Sequence, residues 1–381
     1  MEGSWWKERG DLDDSQEEII RLPADGKYLV IGPPGCGKTN LLVLRGAYLY
    51  KSQYKNIAVI TFAVGLVDFI RTGVKGLDSS QVHSYLSWAR SHALSLAPEH
   101  SQAINDTQKF DELRNAILLA CIDANKKIDN KNYLQAILFD EVQDINEEEL
   151  KIVDKLSERI MLAGDKNQSI YKGDGIEYAK NLGYKLYELK THYRIGHAIA
   201  RVADKIFEPN SQNESLVATS NYNEQKMQSS AEHLHFESRQ EQFDAMFIRL
   251  KTQLKAYPKE ILGIFIGRKQ VYEELKQLFK DTDLANEVEY HDIREATFSG
   301  EKRIHVLTVH AAKGTEFRAV HLYGCEDVQY PQTSHRYWYT AVTRAKTSLT
   351  AYSSPGGKSL SKILLAAFSD TTVPTIDSLF E

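Results

Sequence analysis

The stretch YLVIGPPGCGKTNLLVLRGAYL, Tyr28–Leu49, joins an apolar run of strand character to a helical pattern through GPPGCGKT, Gly32–Thr39. A Gly-x-x-x-x-Gly-Lys-Thr loop between a strand and a helix is the pattern that cradles phosphates. Its glycines let backbone amides turn toward the anion with no side chain in the way. Lys38 supplies a point charge to the terminal phosphates, and Thr39 offers a hydroxyl to Mg²⁺. Gly32, Pro33, Pro34, Gly35, Cys36, Gly37, Lys38 and Thr39 are therefore nucleotide-binding candidates. The competing reading is a plain tight turn, and Cys36 reads as filler at a free position rather than a redox switch.

Working outward, short β-branched runs alternate with longer helical patterns. Strands are expected at Tyr28–Ile31, Ile57–Thr61, Gln135–Phe139 and Arg159–Leu162. A second set is expected at Lys185–Leu189, His233–Phe236, Ile261–Ile266, Ile304–Thr308, Ala319–Tyr323 and Ser348–Tyr352. Helical stretches such as Thr39–Leu49, Gly65–Thr72, Lys109–Ala124, Glu147–Ser157 and Gln240–Gln253 fall between them. This rhythm predicts an α/β chain with two parallel sheets in tandem. A hinge near Gly183–Leu189 divides it into a first domain, 1–186, and a second, 187–381. Residues 87–134 read as a small helical insertion in the first domain, and Glu208–Ser230 as a polar surface loop in the second. Trp5, Trp6 and Trp88 read as packing residues.

Composition bounds the rest. The 381 residues carry 47 Lys and Arg against 52 Asp and Glu, a net charge of -5, so any nucleic-acid surface must be a local basic patch. Cys36, Cys121 and Cys325 are odd in number and far apart, which excludes a disulfide framework and suits a reducing cytoplasm. No apolar run is long enough to span a bilayer, so no membrane partner is expected. The polar start MEGSWWKERGDLDD does not read as a signal peptide.

A second chemical element is ILFDEVQD, Ile137–Asp144. An apolar strand ending in adjacent carboxylates is what Mg²⁺-dependent phosphoryl transfer needs. Asp140 holds the metal through water, and Glu141 orients or deprotonates the attacking water. Alone, the pair could be acids decorating a helix N-terminus. Together with the phosphate loop it predicts ATP hydrolysis with Mg²⁺ held by Thr39 and Asp140.

These two elements, followed by GDKNQSIY at Gly164–Tyr171, resemble the UvrD/Rep-like branch of superfamily 1 DNA helicases. Further segments answer in order: SQEEII with Gln16, VITF ending at Phe62, VHSYL around His83, and THYR at Thr191–Arg194. FIGR ending at Arg268, TVHAAKGTEF at Thr308–Phe317 and RYWYTAVTRAK at Arg336–Lys346 complete the series. The resemblance covers nearly the whole chain, from Gln16 to Lys346. It implies two RecA-like P-loop NTPase domains with ATP bound between them.

Residue by residue, the resemblance makes Gln16 the adenine reader, places Tyr193 against the base, and has Glu316 couple nucleotide to nucleic acid. Gln168 senses the γ-phosphate, while Arg194 and Arg344 arrive from the second domain to stabilise its developing charge. Phe62 and Tyr171 would stack on bases, and His83, Arg268 and His310 would touch the nucleic-acid backbone. Three departures stand out. Asn40 replaces an Arg that covers the adenine, Gly173 replaces a base-stacking Trp, and Thr315 replaces a Leu. The gaps Leu86–Asp140 and Arg268–Thr308 are too short for the family's large accessory domains, so a minimal motor core is expected.

Two functions are expected from this. One is an ATP-dependent translocase and helicase on single-stranded or tailed DNA, with 3′→5′ polarity by resemblance. The other is an ATP-gated, DNA-sensing regulatory subunit that controls a partner nuclease or other effector in a repair or phage-defence complex. Backbone-tracking contacts carry no sugar preference, but the DEVQD form with Asp144 resembles the DNA-acting branch more than the RNA-acting one.

Overall fold

The computed structural model describes residues 12–73, 78–107, 109–171, 173–291, 302–328, 334–355 and 361–369. The chain divides into two compact units. The first holds the described residues of Met1–Arg194 together with His291 and His310–Thr315, and the second holds the remainder. Trp5 and Trp6 lie outside the described residues.

Strands of the first unit are β1 (Gly26–Ile31), β2 (Ile57–Thr61), β3 (Val82–Ser84), β4 (Ala136–Asp140), β5 (Arg159–Gly164) and β6 (Lys185–Glu188). They form one sheet in the order β3-β2-β4-β5-β1-β6, and all of its pairings are parallel. Its helices are α1 (Asp14–Ile20), α2 (Lys38–Lys51), α3 (Val64–Gly73), α4 (Tyr85–Leu96), α5 (Ser101–Asn105), α6 (Phe110–Lys126), α7 (Glu147–Lys155) and α8 (Gly175–Asn181).

The strands read as continuous apolar runs because both faces of a parallel sheet are covered. Leu29, Ala58, Ile60, Ile137, Phe139, Ile160 and Leu162 point into one core with Trp88, Ala89, Ile117, Ala120, Val153 and Ala179. Their neighbours Tyr28, Val30, Ile57, Val59, Leu138, Met161 and Ala163 point into the other, against Leu41, Leu42, Leu49 and Ile70. Alternate residues thus serve opposite layers, as the two-residue period of a strand requires. The helices expected as an insertion at 87–134 begin at Tyr85 and form part of the first core rather than an appendage.

The second unit has β7 (Ser230–His235), β8 (Leu262–Ile266), β9 (Val288–Tyr290), β10 (Ile304–Thr308), β11 (Phe317–Leu322) and β12 (Ala345–Ser353). Their order is β7-β12-β11-β8-β10-β9, again with parallel pairings. α9 (His197–Ile206), α10 (Arg239–Ala256), α11 (Lys269–Phe279), α12 (His335–Val342) and α13 (Lys362–Phe368) accompany them. Phe243, Met246, Leu250, Val271, Leu275 and Phe279 of α10 and α11 pack on Ile264, Ile266, Val306 and Tyr352.

Two expectations are corrected. Lys185–Glu188 pairs with β1 in the first sheet, Tyr28 opposite Lys185 and Ile31 opposite Glu188. It therefore ends the first strand set instead of opening the second, and the division expected at 186/187 falls after Arg194. The short strands β3 and β9 were not expected, since three residues carry too little alternation to read. Between α9 and β7 the polar stretch carries turns, stitched by Asp204, which accepts from the amides of Leu216 and Val217.

Arg45 of α2 fixes α1 to the sheet. Its guanidinium, 1% exposed, donates to the carbonyls of Ile20 and Leu22 at 2.8 and 2.6 Å and of Pro23 at 2.6 Å. The Ile20 carbonyl is one that the end of α1 leaves without a helical partner, and Leu22 and Pro23 lie in the turn that follows. Arg45→Met keeps the aliphatic bulk and removes the donor to the Ile20 and Leu22 carbonyls, while Pro23 keeps the Tyr28 hydroxyl. Urea denaturation is expected to show a loss of about 2–4 kcal/mol.

Candidate active site of the first unit

The phosphate loop leaves the carboxyl end of β1, where open parallel sheets place their ligands. Gly37 has φ 93° and serves as the N-cap of α2, a left-handed conformation that favours glycine. Lys38 Nζ folds onto its own loop, donating to the carbonyls of Gly32 at 2.8 Å and Pro33 at 3.0 Å. Cys36 is fully buried, and burial pushes its thiol up, which suits packing rather than thiolate chemistry. Asn40 is buried too, and its Oδ1 accepts no hydrogen bond among the described residues.

Gln16 arrives on α1, whose N-terminus is closed by a capping box with Asp13. Its Nε2 donates to the Cys36 carbonyl at 2.9 Å, tying the helix to the loop. The Tyr193 phenol donates to Asp13, and the Tyr193 amide donates to the Gly35 carbonyl at 3.1 Å. A Cβ on Gly35 would lie 2.8 Å from Arg194 Cβ. Tyr193 and Arg194 thus border the phosphate loop as part of the first unit, which corrects the expectation that Arg194 comes from the second domain.

Across the sheet, Thr39 Oγ1 donates to Asp140 Oδ2 at 2.5 Å. Asp140 is 3% exposed, and burial, reinforced by the Glu141 charge, pushes its carboxyl up to about 6. Glu141 sits in the left-handed region at φ 59°, ψ 39°, a strained conformation for a residue with a Cβ. That turn carries the chain off β4 into Val142–Asp144. Glu141 accepts from Gln143 Nε2, while Gln143 Oε1 accepts from the Asp165 amide at 3.1 Å. Gln168, buried after β5, donates from Nε2 to Asp165 Oδ2 at 2.9 Å. The hydroxyl of Thr39 and the carboxylate of Asp140 form an all-oxygen donor pair at the end of a buried strand, which suits a hard cation such as Mg²⁺.

Lys313 was missed. It is 2% exposed, and its Nζ donates to Asp144 and, at 2.8 Å, to the Gln168 carbonyl. Glu141 Oε2 lies 3.8 Å away. Burial pushes Asp144 up to about 6, with Lys313 opposing that rise. The available signal was a lone lysine in the otherwise uncharged stretch HAAKG.

An aromatic group adjoins the acid loop. Tyr171 lies 5.0 Å from Phe62, 6.2 Å from Phe110 and 5.7 Å from His310 between ring centres. Phe62 is buried and stacks on Tyr85, while Tyr171 and His310 are half-buried. His83 stands apart in β3, where burial and then Arg71 hold its pKa down, so it offers a neutral ring. A Cβ on Gly173 would lie 2.4 Å from the Asp144 carbonyl carbon, so the turn leaves no room for the Trp of the resemblance.

In the second unit, Phe317 and Ala345 are paired, which brings Glu316 and Arg344 to one end of its sheet. Glu316 is 3.4 Å from Lys346 Nζ, and Arg344 Nε donates to the Thr340 carbonyl at 3.2 Å. Arg268 stands at the N-cap position of α11 beyond β8, with no capping bond from its side chain among the described residues.

Comparison with known proteins agrees with this geometry. The family model described as a UvrD-like helicase C-terminal domain matches residues 111–354, and one described as an AAA domain matches residues 16–174. The chain belongs to the UvrD-like helicases of superfamily 1. A protein of Mycoplasma pneumoniae described as a probable DNA helicase is 25% identical over 235 residues, which is 56% of this chain and 42% of the relative. The chain therefore matches under half the length of that relative. As UvrD-like domains, the two parallel sheets are consistent with two RecA-like folds, and among the described residues no large accessory domain interrupts either. No described helix is long and apolar enough to cross a membrane.

The buried carboxyl of Asp140 has a measurable consequence. A folded-state pKa near 6, above the unfolded value, contributes stability below about pH 4 that is lost as pH rises through 6. Asp140→Asn is therefore expected to stabilise the nucleotide-free protein at pH 8 by up to ~3 kcal/mol. The gain should vanish near pH 4, read from urea unfolding across that range.

Proposed function

We propose that this chain is an ATP-driven motor of the UvrD-like type, moving 3′→5′ along single-stranded DNA and displacing the complementary strand. The observation that carries the reading is the acid loop. Asp140 meets Thr39 of the phosphate loop at 2.5 Å, and Asp144 meets the aromatic group through the Tyr171 amide at 3.3 Å. One short segment thus joins a nucleotide site to a surface of the kind that stacks bases.

In this reading Gln16 and Tyr193 hold the adenine, and residues 32–39 cradle the phosphates. Thr39 and Asp140 would hold Mg²⁺, which supplies charge neutralisation on the β- and γ-phosphate oxygens. Glu141 accepts the proton of the attacking water as its oxygen bonds to the γ-phosphorus and the bond to ADP breaks. Gln168 reads the γ-phosphate, and Arg194 and Arg344 stabilise the charge that develops on it. Glu316 couples nucleotide to nucleic acid. Tyr171, Phe62, His83, His310 and Arg268 contact the strand, with Phe62 offering little of its ring unless Tyr171 moves.

Strand displacement on duplexes with a 3′ or a 5′ tail tests this. ATP-dependent unwinding of the 3′-tailed duplex is expected, with none of the 5′-tailed one. Glu141→Gln is expected to lower hydrolysis by about 10²–10⁴-fold and abolish unwinding. Hydrolysis without displacement on either duplex would contradict the helicase reading and favour a regulatory subunit acting through a partner nuclease or effector.

A further inference from the structure

One face of α6 serves two places at once. Phe110 and Arg114 are a helical turn apart, so they project together. Phe110 lies against Tyr171, and the Arg114 guanidinium lies 5.2 Å from the centre of the Phe62 ring. The same guanidinium grips the acid loop. Its Nη2 donates to the Asp144 carbonyl at 2.8 Å, and its Nε donates to Glu149 Oε1 at 2.5 Å. A further bond from Nη2 to Glu149 Oε2 makes the pair a two-point fork.

Glu149 is 1% exposed and closes the capping box of α7, its Oε2 accepting from the Asn146 amide at 2.8 Å. The planar group therefore holds the backbone at the end of Asp140–Asp144, anchors the helix that follows, and supports an aromatic ring from the other side. A guanidinium is rigid, so it transmits tilt in a way a flexible ammonium does not.

We propose that Arg114 is a positioning residue that links occupancy of the Phe62–Tyr171 surface to the setting of the acid loop. A base stacking on Tyr171 shifts the ring it shares with Phe62. The guanidinium follows the ring face, and its bond to the Asp144 carbonyl carries the displacement to the turn that holds Glu141. This inference rests on the motor reading above, since it presumes that a nucleic-acid strand occupies that surface.

Arg114→Lys keeps the charge and loses the fork. Its ATP hydrolysis without nucleic acid is expected to stay within about twofold of the unmodified chain, while the rate added by saturating oligothymidylate falls by about tenfold or more. Oligonucleotide affinity, from fluorescence anisotropy, should change by less than about threefold, because Arg114 touches no strand. Equal stimulation of both proteins, or an equal fall in basal and stimulated rates, overturns the proposal while leaving the motor reading intact. An unmodified chain indifferent to the oligonucleotide removes both.

Hydrogen exchange on the unmodified chain gives a second reading that needs no folded variant. Oligothymidylate without nucleotide should slow exchange at the Asp144 and Ile145 amides, which bond to the Glu141 and Val142 carbonyls. Unchanged exchange there, with the oligonucleotide bound, overturns the proposal as well.

Discussion

The first unit is organised around negative charge that has been taken out of water. Asp140 and Asp144 are buried and Glu141 lies between them, all on the turn that leaves β4. Buried carboxylates lose hydration, and the neighbouring Glu141 charge adds repulsion, which is why both aspartates hold their protons to about 6. Such a loop keeps its shape only if cations and amides are brought to it. Lys313 meets Asp144, and Arg114 donates to the Asp144 carbonyl while its fork on the buried Glu149 holds it there. Thr39 binds Asp140, and Gln143 binds Glu141. Thr39, Arg114 and Lys313 come from three distant parts of the chain, so the loop's electrostatics fix where the phosphate loop, α6 and residues 310–315 must lie.

The residues proposed to meet the nucleotide are hydrogen-bonded within the protein. Lys38 is turned onto the carbonyls of Gly32 and Pro33, and Gln16 is occupied with the Cys36 carbonyl. Both are interactions that a phosphate and a purine can replace with better-matched partners. A cation beside Asp140 would offset the cost of ionising that buried carboxyl.

Much of the fold was legible because its strands are short apolar runs covered on both faces, bounded by turn residues. Ile57–Thr61 and Ile304–Thr308 have the expected bounds in the structure. The boundary was less legible. Lys185–Glu188 is mostly exposed and half polar, and an edge strand beside β1 looks in sequence like the start of something new. Residues 310–315 join the first unit although their neighbours belong to the second, and that excursion has no local signature. The phosphate loop and Asp140–Glu141 were legible because their chemistry is contiguous in sequence. Lys313 and Arg114 were not, since their roles depend on contacts across 169 and 35 positions with Asp144 and Glu149. Gly173 shows the same limit. Its meaning lies in the Asp144 backbone it touches, not in the residues beside it.

The most direct test of this account is a double-mutant cycle on Lys313 and Asp144, read by urea unfolding of the nucleotide-free protein at pH 8 and pH 5. Lys313→Met leaves a buried carboxylate without its counter-charge, and a loss of about 3–5 kcal/mol is expected at pH 8. The loss should shrink at pH 5, where Asp144 is protonated, and Asp144→Asn in the same chain should restore most of it. A Lys313→Met protein as stable as the unmodified one at pH 8 would contradict the claim that buried charge at the acid loop organises this unit.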